Sequence, residues 1–545
     1  MDSSALRKKF LDFFAEREHT IAPSSSLLPA DPSVLFTTAG MQQFKEYFLG
    51  KESPYGNKVA SCQKCFRTSD IEAVGDEAHL TFLEMLGNFS FGSYFKTEAI
   101  RFAYEFLFER LGLSLEDAIF TVFEGDKEVP ADEESVLIWK KLGIPEEKIK
   151  KCGKEDNFWG PTGEEGPCGP TTEIHIRGVE IWNLVFNEYY QDKNKKLTPL
   201  KQKGVDTGMG LERLAMVMQR KDTVFETDLF LPIINEISGD NEKAKRIIAD
   251  HIKASAFLIS EGILPSNVER GYVLRRILRR AIRYAKLLGL AEQSLTSLAQ
   301  KAIEIYRETY PELRSQQVDI LTVIQKEQEK FEKTLERGLK EIKKTPRLTG
   351  EIAFHIYETY GFPLELTEEI RKVEDREAFF AAQKKHQEIS RAGAQRKFGG
   401  GGEFSPRLHT ATHLLHAALR KVLGENVKQM GSDINPQRLR FDFSHSRKLT
   451  EEELKKIEDL VNQKIKENLA VKRQEMTYEE ALRSGALAFF KEKYPEKVSV
   501  YSIGDFSKEI CGGPHVKNTG ELGHFKIIKE ESSGAGIRRI RAILE

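Results

Sequence analysis

The 545 residues predict a multidomain α+β chain, on three observations. Residues 1–235 mix helical and strand spacing. From 236 to 390 the apolar pattern is helical throughout. Within 391–404 stand four consecutive glycines, Gly399 to Gly402, a run that holds neither helix nor strand and reads as a hinge. Beyond it, 405–545 mixes both periods again. At about 150 residues per domain, the length alone points to three or four domains.

Composition narrows the function classes. With 40% hydrophobic and 31% charged residues, the chain has enough apolar material for real cores. Its 83 basic and 84 acidic residues leave a net charge of −1, so any nucleic-acid binding must rest on local patches. Five cysteines are odd in number and sparse, which fits a reducing cytosol rather than a disulfide framework. The opening MDSSALRKKF has no apolar signal core. No stretch reaches the ~18–20 apolar residues of a membrane span, so a cytoplasmic protein is expected.

In chain order, Leu6, Phe10, Phe13 and Phe14 have helical spacing, with Ser3 or Ser4 as the cap. Ser24 to Pro29 turns, and Val34-Leu35-Phe36 follows as a short apolar run. Cys62 and Cys65 form a lone Cys-x-x-Cys with no second pair at ribbon spacing. Arg67, just after it, offers a planar fork suited to a phosphate. Phe82, Phe89 and Phe91 crowd the next segment. Between 157 and 170, glycines and prolines exclude a regular element and mark a shaped loop that begins with Trp159. Glu173-Ile174-His175-Ile176 then alternates as a half-buried strand, and Ile181 to Phe186 reads as a buried one.

The densest signal is Val205-Asp206-Thr207-Gly208-Met209-Gly210-Leu211-Glu212-Arg213-Leu214. Gly208 and Gly210 let the backbone approach a ligand closely. Asp206 places an ammonium acceptor before the corner. Arg213 places a phosphate-binding cation on the first turn of the following helix. No Ser/His/Asp or paired-carboxylate arrangement asks for a general base.

In the helical stretch, Pro265-Ser266-Asn267 breaks one helix before another begins. Arginines 275, 276, 279, 280 and 283 then form a stripe with no acid between them. A solvated face is the ordinary reading of a charge run, but this one favours a phosphate backbone. Residues 318–345 form a long amphipathic helix.

After the hinge, His409 and His413 share one helical face at i and i+4, and Cys511 and His515 repeat that spacing a hundred residues later. No glutamate follows His409, which excludes the metalloprotease pattern. Two such pairs predict a mononuclear zinc site. Three nitrogens and a thiolate could close a structural site or leave room for a substrate.

The Val205–Leu214 run, Arg67 and Glu84-Met85-Leu86-Gly87-Asn88-Phe89-Ser90-Phe91-Gly92 together resemble the signature motifs of class II aminoacyl-tRNA synthetases, in the wording of the alanyl-tRNA synthetase family. The resemblance covers nearly the whole chain. It implies an antiparallel sheet flanked by helices for 1–235, a helical tRNA acceptor-stem domain for 236–390, a linker at 391–404, and an α+β zinc-containing editing domain for 405–545. By the same resemblance Arg67 holds the ATP α-phosphate and the substrate carboxylate, Phe82 stacks on adenine, and Arg213 binds the γ-phosphate beside Mg2+. Trp159, Val185 and Gly208 wall an alanine pocket in which Asp206 takes the ammonium. Asn267 and Glu358 straddle a G·U pair of tRNA(Ala), and Arg275 and Arg279 bind its backbone. Zn2+ on His409, His413, Cys511 and His515 positions mischarged seryl- or glycyl-tRNA, with Thr412 and Gln429 near the substrate. The closing Ser532 to Ile540 reaches RNA phosphates.

The sequence also departs from that family. The loop after Arg67 reads Thr68-Ser69-Asp70-Ile71-Glu72, without the usual lysine and glycines. Glu358 stands where an aspartate is usual, and a small β-rich subdomain is skipped near the hinge. The chain ends at Glu545 without the usual coiled coil, which predicts a minimal monomer. The leading reading is alanine–tRNA ligase with editing in cis. The alternative is a stand-alone deacylase of mischarged tRNA whose N-terminal half is inert.

Overall fold

A computed structural model describes residues 1–31, 33–291, 293–385, 406–425, 427–435, 437–445, 447–487, 497–534 and 537–545. The expected hinge at 391–404 lies outside them. The chain divides into two compact units, one of residues 1–344 and 358–370, the other of 345–357 and 371–545.

The first unit is built on a sheet whose strands are β1 (Thr20–Ile21), β2 (Lys58–Phe66), β3 (Phe82–Phe91), β4 (Ala118–Phe123), β5 (Ile149–Cys152), β6 (Phe158–Trp159), β7 (Gly166–Ile176), β8 (Val179–Gln191) and β9 (Leu197–Gly210). Their order is β1-β2-β3-β9-β8-β7-β4-β5, with β6 paired to β7. The inner pairs are antiparallel, and only β1–β2 and β4–β5 at the edges are parallel. Helix α1 (Ser3–Ala15) buries Leu6, Phe10, Phe13 and Phe14 as their spacing requires. Its cap is Asp2, whose carboxylate accepts from the Ala5 amide at 2.7 Å, and not Ser3 or Ser4. A carboxylate there also meets the positive end of the helix. The 34–36 run forms no strand. Phe36 instead packs on Phe66, with ring centroids 4.7 Å apart.

Helix α2 (Leu211–Met218) leaves β9 without a connecting residue. Besides α1, the longest helices of the unit are α3 (Glu242–Ser260), α4 (Glu269–Leu287), α5 (Ser294–Tyr306) and α6 (Gln317–Lys344). Of the helical stretch read from sequence as 236–390, residues 345–357 and the part from 371 on fall in the second unit, while 236–344 and 358–370 share one compact body with 1–235. Its seam is polar and buried. Glu84 of β3 takes a bidentate pair from Arg7 at 2.9 and 2.7 Å and a hydrogen bond from the Tyr310 hydroxyl at 2.7 Å. Asp250 of α3 accepts from both the amide and the hydroxyl of Thr81, at 3.0 and 2.5 Å. Satisfied carboxylates of this kind fix one docking of helix on sheet.

Helix α7 (Gly350–Tyr360) precedes the remainder of the chain. In the second unit, α8 (Pro406–Leu423) and α9 (Glu451–Lys466) cover an antiparallel sheet ordered β10-β11-β16-β15, of β10 (Gln429–Asn435), β11 (Arg438–Ser444), β15 (Phe525–Gly534) and β16 (Ile537–Leu544). Strand β11 alternates as read from sequence: Leu439, Phe441 and Phe443 enter the core beneath Leu415 and Val461. A smaller sheet holds β12 (Val471–Thr477), β13 (Lys497–Ile503) and β14 (Ser507–Ile510). The closing arginines are engaged inside the four-stranded sheet: Arg538 with Glu530, Arg539 with Asp442 and Arg541 with Glu531. Residues 535 and 536 of that run lie outside the described residues.

Candidate active sites

Strand alternation assembles the first site. On β9, Asp206, Gly208 and Gly210 recur every second residue and face one cavity of about 440 Å³. Ile181, Asn183 and Val185 of β8 and Glu173 and His175 of β7 extend that face. Register explains the closeness, since Val185 lies opposite Asp206 and Asn183 opposite Gly208. Trp159 reaches the cavity from β6, and Arg67 and Arg213 stand on its wall. Gly208 leaves room for Met85, because a Cβ there would meet the Met85 sulfur at 2.9 Å.

Electrostatically the cavity is primed for a cation beside anions. Asp206 is 6% exposed, and among the described residues its carboxylate forms no hydrogen bond or ion pair. Burial alone pushes its carboxyl up to about 7. A ligand ammonium would supply the missing partner. Arg213 donates to Glu180 at 2.9 Å, and Arg67 donates through Nε to the Thr38 carbonyl at 3.2 Å. Glu173 is held by Asn183 at 2.7 Å and His175 at 3.1 Å, and burial raises its carboxyl. The loop after Trp159 is clasped from below: Lys45 donates to the Thr162 carbonyl at 2.8 Å and pairs with Asp31 at 3.0 Å.

Phe82 is corrected by the structure. Its ring is fully buried and stacked on Phe257, with centroids 3.8 Å apart and planes 11° from parallel, so no base can reach it. Its neighbour Leu83 takes the opposite face of β3 and lines the cavity. Alternation from Glu84, which turns back toward Arg7, would have found it. Asn183 was missed as well, although a lone amide inside an apolar run is a legible signal.

Arg275 and Arg279 are likewise corrected as backbone contacts. They are only 9% and 5% exposed, and Glu327 of α6 pairs with both. Arg280 and Arg283 share Glu369, and Arg276 pairs with Glu72. The acids that neutralise this stripe lie on other segments, where a local charge pattern does not show them. Asn267 is exposed in the loop before α4, and Glu358 is exposed in the last turn of α7.

The second unit gathers the other cluster. Ligand atoms of His409, His413, Cys511 and His515 all lie within 4.8 Å of one another. Cys511 Sγ is 3.3 Å from His409 Nε2. Two outer nitrogens are hydrogen-bonded, His409 Nδ1 to the Pro514 carbonyl at 3.1 Å and His515 Nδ1 to Thr410 at 3.2 Å, while a Glu509 oxygen lies 3.2 Å from His413 Nδ1 without a hydrogen bond to it. Each imidazole is thereby left with Nε2 for a metal. Burial lowers His409 to about 4 and His515 to about 2, which keeps both neutral, as ligation requires. The donor set of three imidazoles and a thiol suits a tetrahedral ion. Thr412 turns its hydroxyl to the Leu408 carbonyl at 2.8 Å, while Gln429 donates to Ser432 at 3.2 Å. The hydroxyl that touches the cluster is that of Thr410, which the sequence reading missed, along with Glu509.

Comparison with known proteins supplies the context. Residues 5–438 match the family described as tRNA synthetases class II (A), and residues 498–541 match the threonyl and alanyl tRNA synthetase second additional domain. The alanine–tRNA ligase of Borrelia hermsii is 47% identical, with 100% of both chains covered. That of Treponema denticola is 47% identical over 99% of this chain and 98% of its own. The Thermotoga maritima alanine–tRNA ligase is 41% identical over 100% of this chain and 80% of its own.

Proposed function

The chain belongs to the alanine–tRNA ligase family, and on that premise we propose an ATP-dependent ligase that forms alanyl-adenylate, passes the alanyl group to the 3′ end of tRNA(Ala), and hydrolyses seryl and glycyl esters formed in error. The observation that carries this reading is Asp206, a buried carboxylate without a partner among the described residues, in a small cavity walled by Trp159 and Val185. Such a pocket takes a small amino acid by its ammonium and excludes larger side chains by volume.

In the first step a carboxylate oxygen of alanine attacks the α-phosphorus. The bond to the β-phosphate breaks, and pyrophosphate leaves. No proton is transferred, so positioning and charge neutralisation are what the protein contributes. Arg67 holds the α-phosphate and the attacking carboxylate. Arg213 exchanges Glu180 for the γ-phosphate. Glu173 and Glu180 are the hard oxygen donors at hand for Mg2+, which neutralises phosphate charge when bound.

Editing answers a physical need, because an alanine pocket cannot exclude glycine, and one hydroxyl is weak ground for rejecting serine. We assign it to the second unit. Zn2+ on His409, His413, Cys511 and His515 would orient the misacylated end, with Thr412 and Gln429 close by. In the first unit, Asn267 and Glu358 are the exposed groups assigned to the G·U pair of the acceptor stem. The five cysteines are free thiols, which suits the cytoplasm, and no described helix is long and apolar enough to cross a membrane. We take the ligase to act as a monomer.

Alanine-dependent ATP–pyrophosphate exchange without tRNA tests the ligase directly. Strong exchange with alanine, and weaker exchange with serine and glycine, is expected. Silence with all three from folded protein would leave the deacylase alternative, against which the convergence of Arg67, Asp206 and Arg213 on one cavity now stands.

A further inference from the structure

We propose that Glu327 is a positioning residue for RNA reading. It holds Arg275 and Arg279 together, and through them it sets the Asn267 amide and the turn that follows Glu358. The inference rests on the acceptor-stem role given to Asn267 above.

Arg275 and Arg279 lie one turn apart on α4, and both face α6. Glu327 there is 5% exposed, and a single oxygen, Oε1, receives Arg279 Nε and Nη2 at 2.7 and 2.6 Å and lies 3.4 Å from Arg275 Nε. The remaining nitrogens go outward to loops. Arg275 donates to the Pro265 carbonyl at 3.1 Å and to Asn267 Oδ1. Arg279 donates to the Gly361 carbonyl and lies 4.8 Å over the Phe331 ring. Gly361 has φ +73°, and a Cβ there would strike Arg279. One buried carboxylate thus governs both exposed reading elements.

The chemistry at Asn267 follows from the partner. A guanidinium only donates, so the amide oxygen must face Arg275 and the Nδ2 donors are left outward. Asn267 is therefore set to address an acceptor, such as a ring nitrogen, a carbonyl or a 2′-oxygen on a groove edge. Removing the Glu327 charge leaves two buried guanidiniums facing each other without their shared partner, and both loops lose their anchor.

The test uses the full chain and two readouts: alanine-dependent pyrophosphate exchange without RNA, and charging of tRNA(Ala) transcripts carrying G·U or G·C at the recognised pair. Glu327→Gln and Arg275→Lys are expected to leave exchange within about twofold while kcat/KM for charging the G·U transcript falls about tenfold or more, the scale of one oriented base contact. Preference over G·C should shrink in step. Asn267→Asp keeps the oxygen for Arg275 but loses the donors, and should match Asn267→Ala. Parallel loss of exchange and charging would make Glu327 merely structural and overturn the proposal, as would tolerance of Asn267→Asp. Normal charging by Glu327→Gln alongside impaired Asn267→Ala would overturn it while sparing the acceptor-stem reading. Normal charging by Asn267→Ala would remove that reading and the proposal together. If Glu327→Gln does not fold, Arg275→Lys decides.

Discussion

Asp206 and Val185 are register partners on adjacent strands, so a carboxylate and an isopropyl group project from one face of the sheet into one cavity. The pairing couples charge recognition to size selection. Asp206→Asn keeps the shape and removes the charge. It is expected to lower kcat/KM for alanine in pyrophosphate exchange by ~100-fold, the loss given by an uncompensated buried ammonium, with the KM for ATP nearly unchanged. Exchange kinetics under varied alanine and varied ATP separate the two. The melting temperature should hold or rise, because a buried charge without a partner has been removed.

The same carboxyl makes activity and stability respond to pH in opposite directions. Burial holds Asp206 at about 7 in the folded protein, against about 3.9 unfolded. Between those values the unfolded chain has released its proton and the folded chain still holds it. Folding stability therefore falls as pH rises from about 4 to about 7, by up to about 4 kcal/mol. The ammonium needs the ionised form. Thus kcat/KM for alanine should climb with pH and level off above about 7, and Asp206→Asn should flatten both the rate profile and this part of the stability profile.

How far the site was legible depends on the scale of the signal. Asp206, Gly208, Arg213 and Arg67 stood out in local runs, Trp159 and Val185 came with the family resemblance, and all line one cavity. The His409/His413 pair was legible because i,i+4 spacing on a helix fixes a shared face, whereas Cys511 and His515 repeat that spacing outside any helix or strand and are brought to the cluster by the loop between them. What was misread depended on partners far away in sequence. Nothing beside Arg275 or Arg279 announces Glu327, about fifty residues on, and a stripe without local acids passes for a solvent-facing one. Phe82 and Leu83 are both apolar neighbours on one strand, and only the charge of Glu84, with its pull toward Arg7, fixes which of them faces the ligand.

That strand yields a paired prediction. Phe82→Ala empties a stacked, fully buried position and should destabilise the fold by about 3–5 kcal/mol. Its KM for ATP, measured below the lowered melting temperature, should stay near that of the parent. Leu83→Ala, at a half-buried position on the cavity wall, should cost little stability and raise the KM for ATP several-fold. Denaturant titration with exchange kinetics on both variants checks the assignment, and a reversed pattern would restore the ring of Phe82 to the nucleotide.

The proposed zinc site at His409, His413, Cys511 and His515 offers a test of the division of labour. Cys511→Ala removes the one thiol of the set, and a chelator removes the ion itself. Each should abolish hydrolysis of seryl-tRNA(Ala) while leaving alanine-dependent exchange intact, since the donor residues and the exchange cavity belong to different compact units. Glu509 refines the expectation. Its carboxylate lies 3.2 Å from His413 Nδ1 and 2.9 Å from His416 Nδ1, so it fixes the ring that must present Nε2. Burial raises its carboxyl, but the two imidazoles outweigh that and hold it below the usual carboxylate range. Glu509→Gln removes the carboxylate charge beside His413 and should therefore fold yet bind zinc about 10–100-fold more weakly, as losses of a partner behind a ligating histidine generally do. Zinc content after dialysis against a graded chelator measures this without reference to activity. Parent protein should retain about one zinc per chain at chelator concentrations that strip the variant, and equal retention by both would assign Glu509 to packing alone.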